Sequence, residues 1–488
     1  MLSSATIGKA ISDRLGRTIT SGVKGRSIRA IAALSAGTVA GRLVRFARGM
    51  VLARLLAPDQ LGMMALIMSF TIALESLTEV GVKQSIIQNK QGARDDYLNV
   101  AWWMQVIRAC SLFGVAFLVA PWISSFYQSS ELLSLLRVAF VAIALRGFVS
   151  PRAHVLEKEY KFGRAVFLDQ GSAVVGAILT VGLAFFLRNV WALVIGFVAE
   201  TALLCILSFV LVPFVPRFSV DRESFRELMK FARGMFGLPI LNAVSAQAPI
   251  LILGKVISED QLGLYSLAAL LAYVPIELYV KTTGPVFLPA FAEKQDDKQA
   301  LCRGLLQATR WTAFLAIPVL SCMVCCAPEL LLFAYGRQYV TMAIPFAVLC
   351  LEMVAYNATI VLVGIYLALG FPHLQRRFSV IRAAGIVGLI YPAAVWLGPL
   401  GVAGVVVATR FAVLVMQVLQ GRRLFGLNLG RYMRCYSAGV VAAVPIIAAV
   451  GLVRILGVNS PLAVLSVGLA AYIVTSAAGI LLFGARRG

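Results

Sequence analysis

The stretch that decides the fold runs from Ser35 to Gln88 and reads SAGTVAGRLVRFARGMVLARLLAPDQLGMMALIMSFTIALESLTEVGVKQSIIQ. It contains two long apolar segments that meet at a tight Pro58-Asp59-Gln60 turn. A helix needs about 20 predominantly apolar residues to cross a bilayer, and both segments reach that length. We therefore expect two antiparallel membrane helices here, over 30–56 and 61–88.

Three arginines share one face of the first helix of this pair. Arg42, Arg45 and Arg48 recur every three residues, a spacing that keeps side chains on the same side of a helix. A charge at the centre of a bilayer costs about 2.5–3.5 kcal/mol on insertion scales, so such residues usually face a protein interior or a water-filled cavity. The arginine face therefore indicates the wall of a transport pathway.

Acidic residues also lie inside apolar segments, and the five in question are Glu75, Glu79, Glu200, Glu277 and Glu352. Intramembrane acids mark ion pathways and proton relays, so we predict coupling or gating roles for these five, through a proton or a sodium ion. Ion pairing is the alternative. Arg45 and Glu75 lie about 20 and 25 Å from the Pro58 turn, close enough in depth to pair across the hairpin. Glu277 precedes Lys281 by four residues, which is also a helix-stabilising spacing.

Composition fixes the class of protein. The chain has 488 residues, of which 60% are hydrophobic and 14% charged, whereas soluble proteins are about 45–50% apolar and about 25% charged. An all-α polytopic membrane protein is therefore expected. The net charge of +22 does not indicate a nucleic-acid partner, because the basic residues cluster in alternate loops, as cytoplasmic loops do.

The hydropathy pattern predicts fourteen transmembrane helices, in two six-helix lobes followed by two further helices. We divide the chain into a basic cytoplasmic segment at 1–29, a first lobe at 30–214, a linker at 215–227, a second lobe at 228–421 and a final pair at 432–484. With a cytoplasmic N-terminus, the cytoplasmic segments carry roughly seven times as many Lys and Arg as the other loops, which supports this count and two cytoplasmic termini. The predicted helices cover 30–56, 61–88, 99–124, 131–152, 165–187, 190–214, 228–255, 261–291, 303–326, 341–369, 378–397, 400–421, 434–456 and 461–483.

The chain also repeats itself. Asp59-Gln60-Leu61-Gly62 matches Asp260-Gln261-Leu262-Gly263, and both tetrapeptides stand in the turn of a predicted hairpin. Six helices separate the copies, so the two lobes have the same orientation in the membrane, as in transporters built from parallel repeats around a central cavity. Aligning the sixth and twelfth helices places Glu200 at the depth of Arg410, which predicts a bridge that closes the lobes.

The sequence gives little support for catalysis or for metal binding. His154 and His373 are the only histidines, and the chain has no phosphate-binding loop or nucleophile elbow, so we predict a protein that is not an enzyme. Cys322, Cys325 and Cys326 are expected to pack in an apolar helix rather than to bind metal, and no cofactor is expected. Residues 1–29 suit a helix on the membrane surface, a disordered basic tail or an organellar transit peptide, and these alternatives stay open.

Several stretches together resemble the polysaccharide-transporter branch of the multidrug/oligosaccharidyl-lipid/polysaccharide exporter superfamily. They are VLARLLAPDQLGMMAL at 51–66, EVGVKQSIIQ at 79–88, EKEYKFGRAVFLDQ at 157–170, VPRFSVDRESFRELMKFA at 215–232 and DQLGLYSLA at 260–268. The resemblance implies a flippase of the bacterial inner membrane that moves undecaprenyl-pyrophosphate-linked sugar units by alternating access. It also implies membrane lipids as partners and the polysaccharide polymerase and glycosyltransferase machinery as candidate protein partners, with helices 13 and 14 as a groove for the lipid tail.

Arginine suits such a substrate because its planar guanidinium binds phosphate through two hydrogen bonds and stays charged. We predict Arg42, Arg45 and Arg48 as the main pyrophosphate contacts, with Arg146 and Arg410 as further ones. In the second lobe the matching positions of the arginine face are Ala243, Ala246 and Pro249, which predicts a cavity with its cationic side on the first helix. A flippase for the peptidoglycan lipid precursor, a cation-coupled multidrug exporter and a membrane scaffold remain as alternatives.

Overall fold

The fold is helical throughout the part of the chain that the structure describes. This structure is a computed structural model, and it describes residues 25–485 except 79–80, 160, 218–220, 236, 294–296 and 458–459. Within these ranges the chain forms helices and no strand, which confirms the predicted all-α class. The predictions for the 1–29 segment fall almost entirely outside the described residues.

The helices are numbered here in chain order. Their bounds are α1, Gly25–Leu55; α2, Pro58–Leu77; α3, Val82–Gln88; α4, Asp95–Tyr127; α5, Ser130–Gly147; α6, Arg152–Lys158; α7, Phe162–Leu187; α8, Val190–Leu211; α9, Arg222–Met235; α10, Leu238–Val256; α11, Glu259–Ala292; α12, Lys298–Cys325; α13, Ala327–Ala334; α14, Ala343–Ala368; α15, Pro372–Phe425; α16, Leu429–Arg434; α17, Ser437–Ile455; and α18, Pro461–Ala485. A short 3-10 helix at Arg337–Met342 leads into α14.

Long helical segments lie at every position where a membrane helix is predicted. The two predicted helices at 378–397 and 400–421 are the halves of α15, which bends at Gly398 (φ 55°, ψ −136°). By length and hydropathy, nine helices in the described ranges can cross a membrane, or ten if the bent pair Ser130–Gly147 and Arg152–Lys158 counts as one span. The number of fourteen spans stays a prediction.

Two predicted helices are broken where glycine takes a backbone conformation with positive φ. The helix predicted over 61–88 ends at Leu77, and after Gly81 (φ 65°) the separate helix α3 begins. The helix predicted over 228–255 is divided at Gly237 (φ 92°) between α9 and α10. These two boundaries were wrong, because each glycine has a positive φ immediately before the next helix begins. This conformation lies outside the right-handed helical region, and hydropathy alone does not reveal it.

Short links force successive long helices to run antiparallel, so the links alternate between two ends of the bundle. One end carries the tight links near 57, 128, 188 and 257 and the bend at 398, and we call it the turn end. The opposite end carries the longer polar links at 89–94, 159–161, 212–221 and 369–371, and we call it the connector end.

The two lobes meet at the turn end through the repeated tetrapeptides. A Cβ atom added to Gly62 would lie 2.1 Å from the carbonyl oxygen of Glu259, and one added to Gly263 would lie 1.8 Å from that of Pro58. Each added Cβ would also lie 2.9 Å from the backbone nitrogen of the other glycine. Such reciprocal contacts are what a local two-fold relation between two copies produces. The glycines therefore let the first turns of α2 and α11 touch backbone to backbone.

Hydrogen bonds reinforce this contact between the lobes. The Tyr127 hydroxyl donates to the carbonyl of Leu251 at 2.7 Å, and the Arg54 guanidinium donates to that of Phe333 at 2.6 Å. The Lys255 ammonium donates to a carbonyl at the end of α4, that of Phe126. The molecule is therefore closed at the turn end.

The C-terminal pair α17 and α18 packs on the second lobe. Gly439 of α17 lies against the backbone of α12, since an added Cβ would be 2.4 Å from the carbonyl oxygen of Ala313. Gly468 of α18 lies beside two thiols: a Cβ added to it would be 3.3 Å from Cys322 Sγ and 2.9 Å from Cys326 Sγ. These thiols therefore fill the contact between α12 and α18.

Replacing Gly62 with Ala is expected to destabilise the closed arrangement by about 1–3 kcal/mol, because its Cβ would overlap backbone atoms that cannot move separately. Thermal unfolding of the purified protein, and spin-label distances between positions 57 and 257, measure this. Gly388→Ala is the matched control, since its Cβ meets nothing within 4 Å, and Ala in a free helical position stabilises slightly. Equal effects of the two substitutions would contradict the contact described.

Candidate substrate-translocation site

The arginine face of α1 is positioned by close packing of α1 on α7. A Cβ on Gly41 would lie 1.4 Å from the Gln170 side-chain oxygen, so only glycine lets the two helices approach this closely. The approach brings Arg45 Nη2 within 4.0 Å of a carboxylate oxygen of Asp169 on α7. Arg42, one turn from Arg45, is half-buried on the same helix.

Arg48 makes a direct hydrogen bond to a carboxylate. Its Nη1 donates to Glu200 Oε2 at 2.8 Å, and the two side chains are 26% and 22% exposed. Gly176 of α7 makes room for Glu200, because a Cβ there would lie 2.6 Å from that of Glu200. The pair therefore joins α1 to α8 and stays partly accessible.

A second partly exposed pair lies nearer the connector end of the first lobe. Arg146 Nη1 of α5 donates to Glu75 Oε2 of α2 at 2.6 Å, and the Arg146 guanidinium also lies over the Phe197 ring, 5.7 Å from its centroid. Arg108 of α4 donates to the Thr78 hydroxyl at 3.2 Å, at the end of α2. The predicted pairing of Arg45 with Glu75 across the first hairpin does not occur here, because each has a partner from another helix.

These charges lie at membrane depth and yet are not sealed inside the lobe. At about 1.5 Å per residue, Arg48 is about 10 Å and Arg146 about 24 Å from the turn end along their helices. Partly exposed charges at such depths are favourable only beside water or protein. Among the described residues, the five arginines named in this lobe outnumber the three carboxylates of Glu75, Asp169 and Glu200, so this group is net cationic and has the chemistry to hold an anionic group.

The second lobe holds a different arrangement, a largely buried cluster around Glu352. The Glu352 carboxylate is 0% exposed and accepts hydrogen bonds from Arg410 Nε and Arg382 Nη2, each at 3.0 Å. The Tyr273 hydroxyl donates to its other oxygen at 2.5 Å. The Arg410 guanidinium also lies over the ring of Tyr356, 4.4 Å from the centroid. The cluster ties α11 and α14 to both halves of α15.

This geometry separates the predicted residues into two groups. Arg45, Arg48, Arg146, Glu75 and Glu200 lie on partly exposed pairs in the first lobe, where a substrate or an ion has access. Arg410 and Glu352 are enclosed in the second lobe, where each already has its partners, and this favours a structural role. The predicted bridge between Glu200 and Arg410 is not formed in this conformation.

Two of the predicted acids cannot be assigned a contact. Glu79 lies outside the described residues, and Glu277 belongs to α11 but its side chain lies outside the described part. Their roles stay predictions. Three other residues, Asp169, Arg108 and Arg382, belong to the site or the cluster but were not predicted. Arg382 stands alone in the apolar run FSVIRAAGIV, and a charge so isolated was the signal that could have identified it.

Comparison with known proteins decides the family. The sequence profile of the family described as "Polysaccharide biosynthesis protein" matches residues 51–344, which is more than half of the chain. The chain belongs to this family. The predicted resemblance is thus confirmed, and the matched region includes both copies of the repeated tetrapeptide, the Glu75–Arg146 pair and Glu200.

The named relatives of this chain are distant from it in sequence. The chain is 21% identical to the succinoglycan biosynthesis transport protein ExoT of Rhizobium meliloti (strain 1021), over 61% of this chain and 60% of that protein. It is 22% identical to the teichuronic acid biosynthesis protein TuaB of Bacillus subtilis (strain 168), over 56% and 57%. It is 20% identical to the lipopolysaccharide biosynthesis protein WzxC of Escherichia coli (strain K12), over 62% and 61%. The matches span about 60% of the length of these relatives.

Solved structures show the same fold in membrane transporters. The lipid II flippase MurJ in an inward closed conformation superimposes with a TM-score of 0.72 at 14% identity, covering 91% of this chain and 97% of MurJ. An inward-facing multidrug resistance MATE family transporter gives a TM-score of 0.63 at 18% identity, covering 81% and 96%. The chain is therefore a multi-pass membrane protein with the fold of these transporters.

Removing the Glu352 carboxylate is expected to destabilise the second lobe. Glu352→Gln leaves two buried guanidinium groups without their counter-charge, which typically costs about 3–5 kcal/mol. The free energy of unfolding in mixed micelles measures this. Glu157→Gln is the control, because the Glu157–Lys83 pair is exposed and such pairs contribute about 0–1 kcal/mol. A loss at Glu352 no larger than at Glu157 would contradict the structural role.

Proposed function

We propose that this protein flips a polyprenyl-pyrophosphate-linked oligosaccharide across the bacterial inner membrane, for assembly of an exported or surface polysaccharide. Family membership and the names of the relatives support this substrate class. A lipid-linked sugar needs a flippase because neither its pyrophosphate nor its hydroxyl groups can enter hydrocarbon without a large desolvation penalty. The protein acts by binding and conformational change, with no covalent step.

The net cationic face of the first lobe is the observation that carries this proposal. Arg45 and Arg48 lie at membrane depth, are partly exposed and each contact one carboxylate among the described residues. Guanidinium groups have donors to spare for a second, bidentate partner such as a phosphate. The pyrophosphate therefore binds on the α1 side, with Arg42 and Arg146 as its neighbours.

The closed turn end supports a cytoplasm-facing state in the transport cycle. The connector end carries most of the basic residues, as a cytoplasmic end does. With the termini and the connector end in the cytoplasm, the Gly62–Gly263 contact is the periplasmic closure. Substrate enters from the cytoplasmic side, and rocking of the lobes about this contact then exposes it to the opposite side.

Ion coupling follows from competition for the arginines. When the pyrophosphate takes Arg48, Glu200 loses this counter-charge at membrane depth. A carboxylate there is favourable only when a proton, a cation or another donor replaces the guanidinium. Glu200 is therefore the coupling site, rather than the enclosed Glu352, and either a proton or a sodium ion suits it. No further cofactor enters this mechanism.

The partners follow from the substrate. Glycosyltransferases on the cytoplasmic side supply the lipid-linked unit, and a polymerase on the other side consumes it. Membrane lipids surround the helices, and nucleic acid has no place in the cycle.

A charge swap separates the binding role of Arg48 from simple ion pairing. Arg48→Gln and Glu200→Gln each lower transport, and the double variant Arg48→Glu with Glu200→Arg restores the pair but places the guanidinium on α8. If Arg48 binds pyrophosphate, transport by the swapped protein stays at least about tenfold below wild type, because charge-assisted phosphate contacts depend on position. Thermal stability checks that the pair has re-formed, and uptake of fluorescent lipid-linked sugar into proteoliposomes measures transport. Full recovery of transport would assign Arg48 to pairing alone.

Deletion of the gene separates the proposed substrate from the alternatives. We expect loss of a surface or exported polysaccharide and accumulation of its lipid-linked unit on the cytoplasmic side, with growth and drug resistance unchanged. Mass spectrometry of extracted lipids and immunostaining of cells measure both. Lethality with accumulated peptidoglycan precursor, or drug sensitivity with normal polysaccharide, would overturn the proposal in favour of one of the two alternative transporters.

A further inference from the structure

A cleft of about 270 Å³ lies between α2 and α10, on the seam between the two lobes. Its α2 wall includes Ala73 and Leu77, and its α10 wall includes Ala243 and Leu251. Of the described residues that line it, Gln247 alone is polar. The cleft is therefore a slot for hydrocarbon rather than for a polar ligand.

The position of the cleft follows from the way in which the lobes separate. Near the turn end α2 and α10 are in contact, since a Cβ added to Gly254 would lie 2.6 Å from Leu66 Cδ2. The cleft begins at Leu251, one turn further along α10, and continues toward the connector end. It is thus the continuation of the lobe interface beyond the point where the two helices part.

The two-fold relation between the lobes gives this seam a counterpart of opposite chemistry. The hairpin α1–α2 corresponds to α10–α11, so the α2/α10 seam corresponds to the α11/α1 seam. Arg42 of α1 matches Ala243 of α10, at the offset of 201 residues that relates the two tetrapeptides. One seam therefore has a cationic helix, whereas the other has an apolar slot at the equivalent place.

We propose that the isoprenoid tail of the lipid-linked substrate lies in the cleft between α2 and α10 while its pyrophosphate is held on the α1 side. This inference rests on the proposed function. An amphipathic lipid whose head group is between the lobes must pass its tail to the membrane through a seam, and the apolar seam is the one that hydrocarbon enters without displacing charge. A phospholipid keeps its head group at the membrane surface, so its acyl chain does not reach the slot from the space between the lobes.

The slot differs from the groove on the last two helices that the family resemblance implied. In the described residues α17 and α18 pack on α12 and α13, through Gly439 and Gly468. They belong to the second lobe, whereas the cleft lies between the two lobes. A photoreactive lipid tail would therefore label α2 and α10 if it lies in the cleft, and α17 and α18 if it lies in the groove.

Photo-crosslinking of the full-length protein in nanodiscs tests the proposal. The probe is polyprenyl pyrophosphate with a diazirine near its pyrophosphate end, and peptide mapping locates the label. We expect labelling of α2 and α10 that unlabelled polyprenyl pyrophosphate displaces. Ala243→Arg should lower this displaceable labelling at least about tenfold, because it puts a charge into an apolar slot. Ala73→Trp, which fills the slot from the other wall, should do the same.

The control adds the same charge to the same helix outside the cleft. Ala246 is exposed and does not line the slot, so Ala246→Arg should leave labelling within about twofold of wild type. Thermal stability confirms that each variant is folded. Equal loss in Ala243→Arg and Ala246→Arg would overturn the tail site.

The remaining outcomes separate this proposal from the proposed function. Displaceable labelling on 437–485 instead of the cleft would overturn the tail site and leave the flippase assignment intact. Labelling of the cleft by a diazirine phosphatidylcholine, undisturbed by polyprenyl pyrophosphate, would show an ordinary lipid there and overturn it too. Absence of displaceable labelling anywhere on the protein would count against both proposals.

Discussion

The backbone contact between Gly62 and Gly263 is the constraint on which the arrangement of the two lobes depends. Because neither residue has a Cβ, the first turns of α2 and α11 touch directly, and any side chain there would overlap a carbonyl oxygen. A contact this close at one end leaves the lobes free to diverge toward the other. The closed turn end, the apolar seam beyond Leu66 and the accessible arginine face all follow from that divergence.

Desolvation explains why the two lobes use charge so differently. In the first lobe the Arg48–Glu200 and Arg146–Glu75 pairs remain partly exposed, so each guanidinium can exchange its carboxylate for another anion at modest cost. In the second lobe Glu352 is enclosed by two arginines and Tyr273, and breaking such a buried pair is strongly unfavourable. One lobe is thus suited to bind and release, while the other is suited to stay rigid.

Residue spacing and hydropathy along the chain predicted much of this architecture. The features that they missed all depend on contacts or backbone conformations that such local patterns do not contain. The three-residue spacing of Arg42, Arg45 and Arg48 predicted that they share one helix face, since side-chain direction in a helix is set by local geometry. The partners of that face were missed, because Arg48 pairs with a residue 152 positions away. Likewise, hydropathy predicted a continuous helix through Gly81, whereas α2 ends at Leu77 and a positive φ at Gly81 precedes the separate helix α3.

The sequence by itself determined the helical membrane class, the places of the long helices, the repeated turn and the lopsided distribution of arginines between the lobes. Each of these depends on composition, period or internal similarity, which need no knowledge of neighbours in space. Only the tertiary structure decided which carboxylate each arginine meets, that Arg410 is enclosed with Glu352 and Arg382, and that the repeated glycines touch. Ion pairing and backbone contact act over a few ångströms, so they depend on how helices from distant parts of the chain pack together.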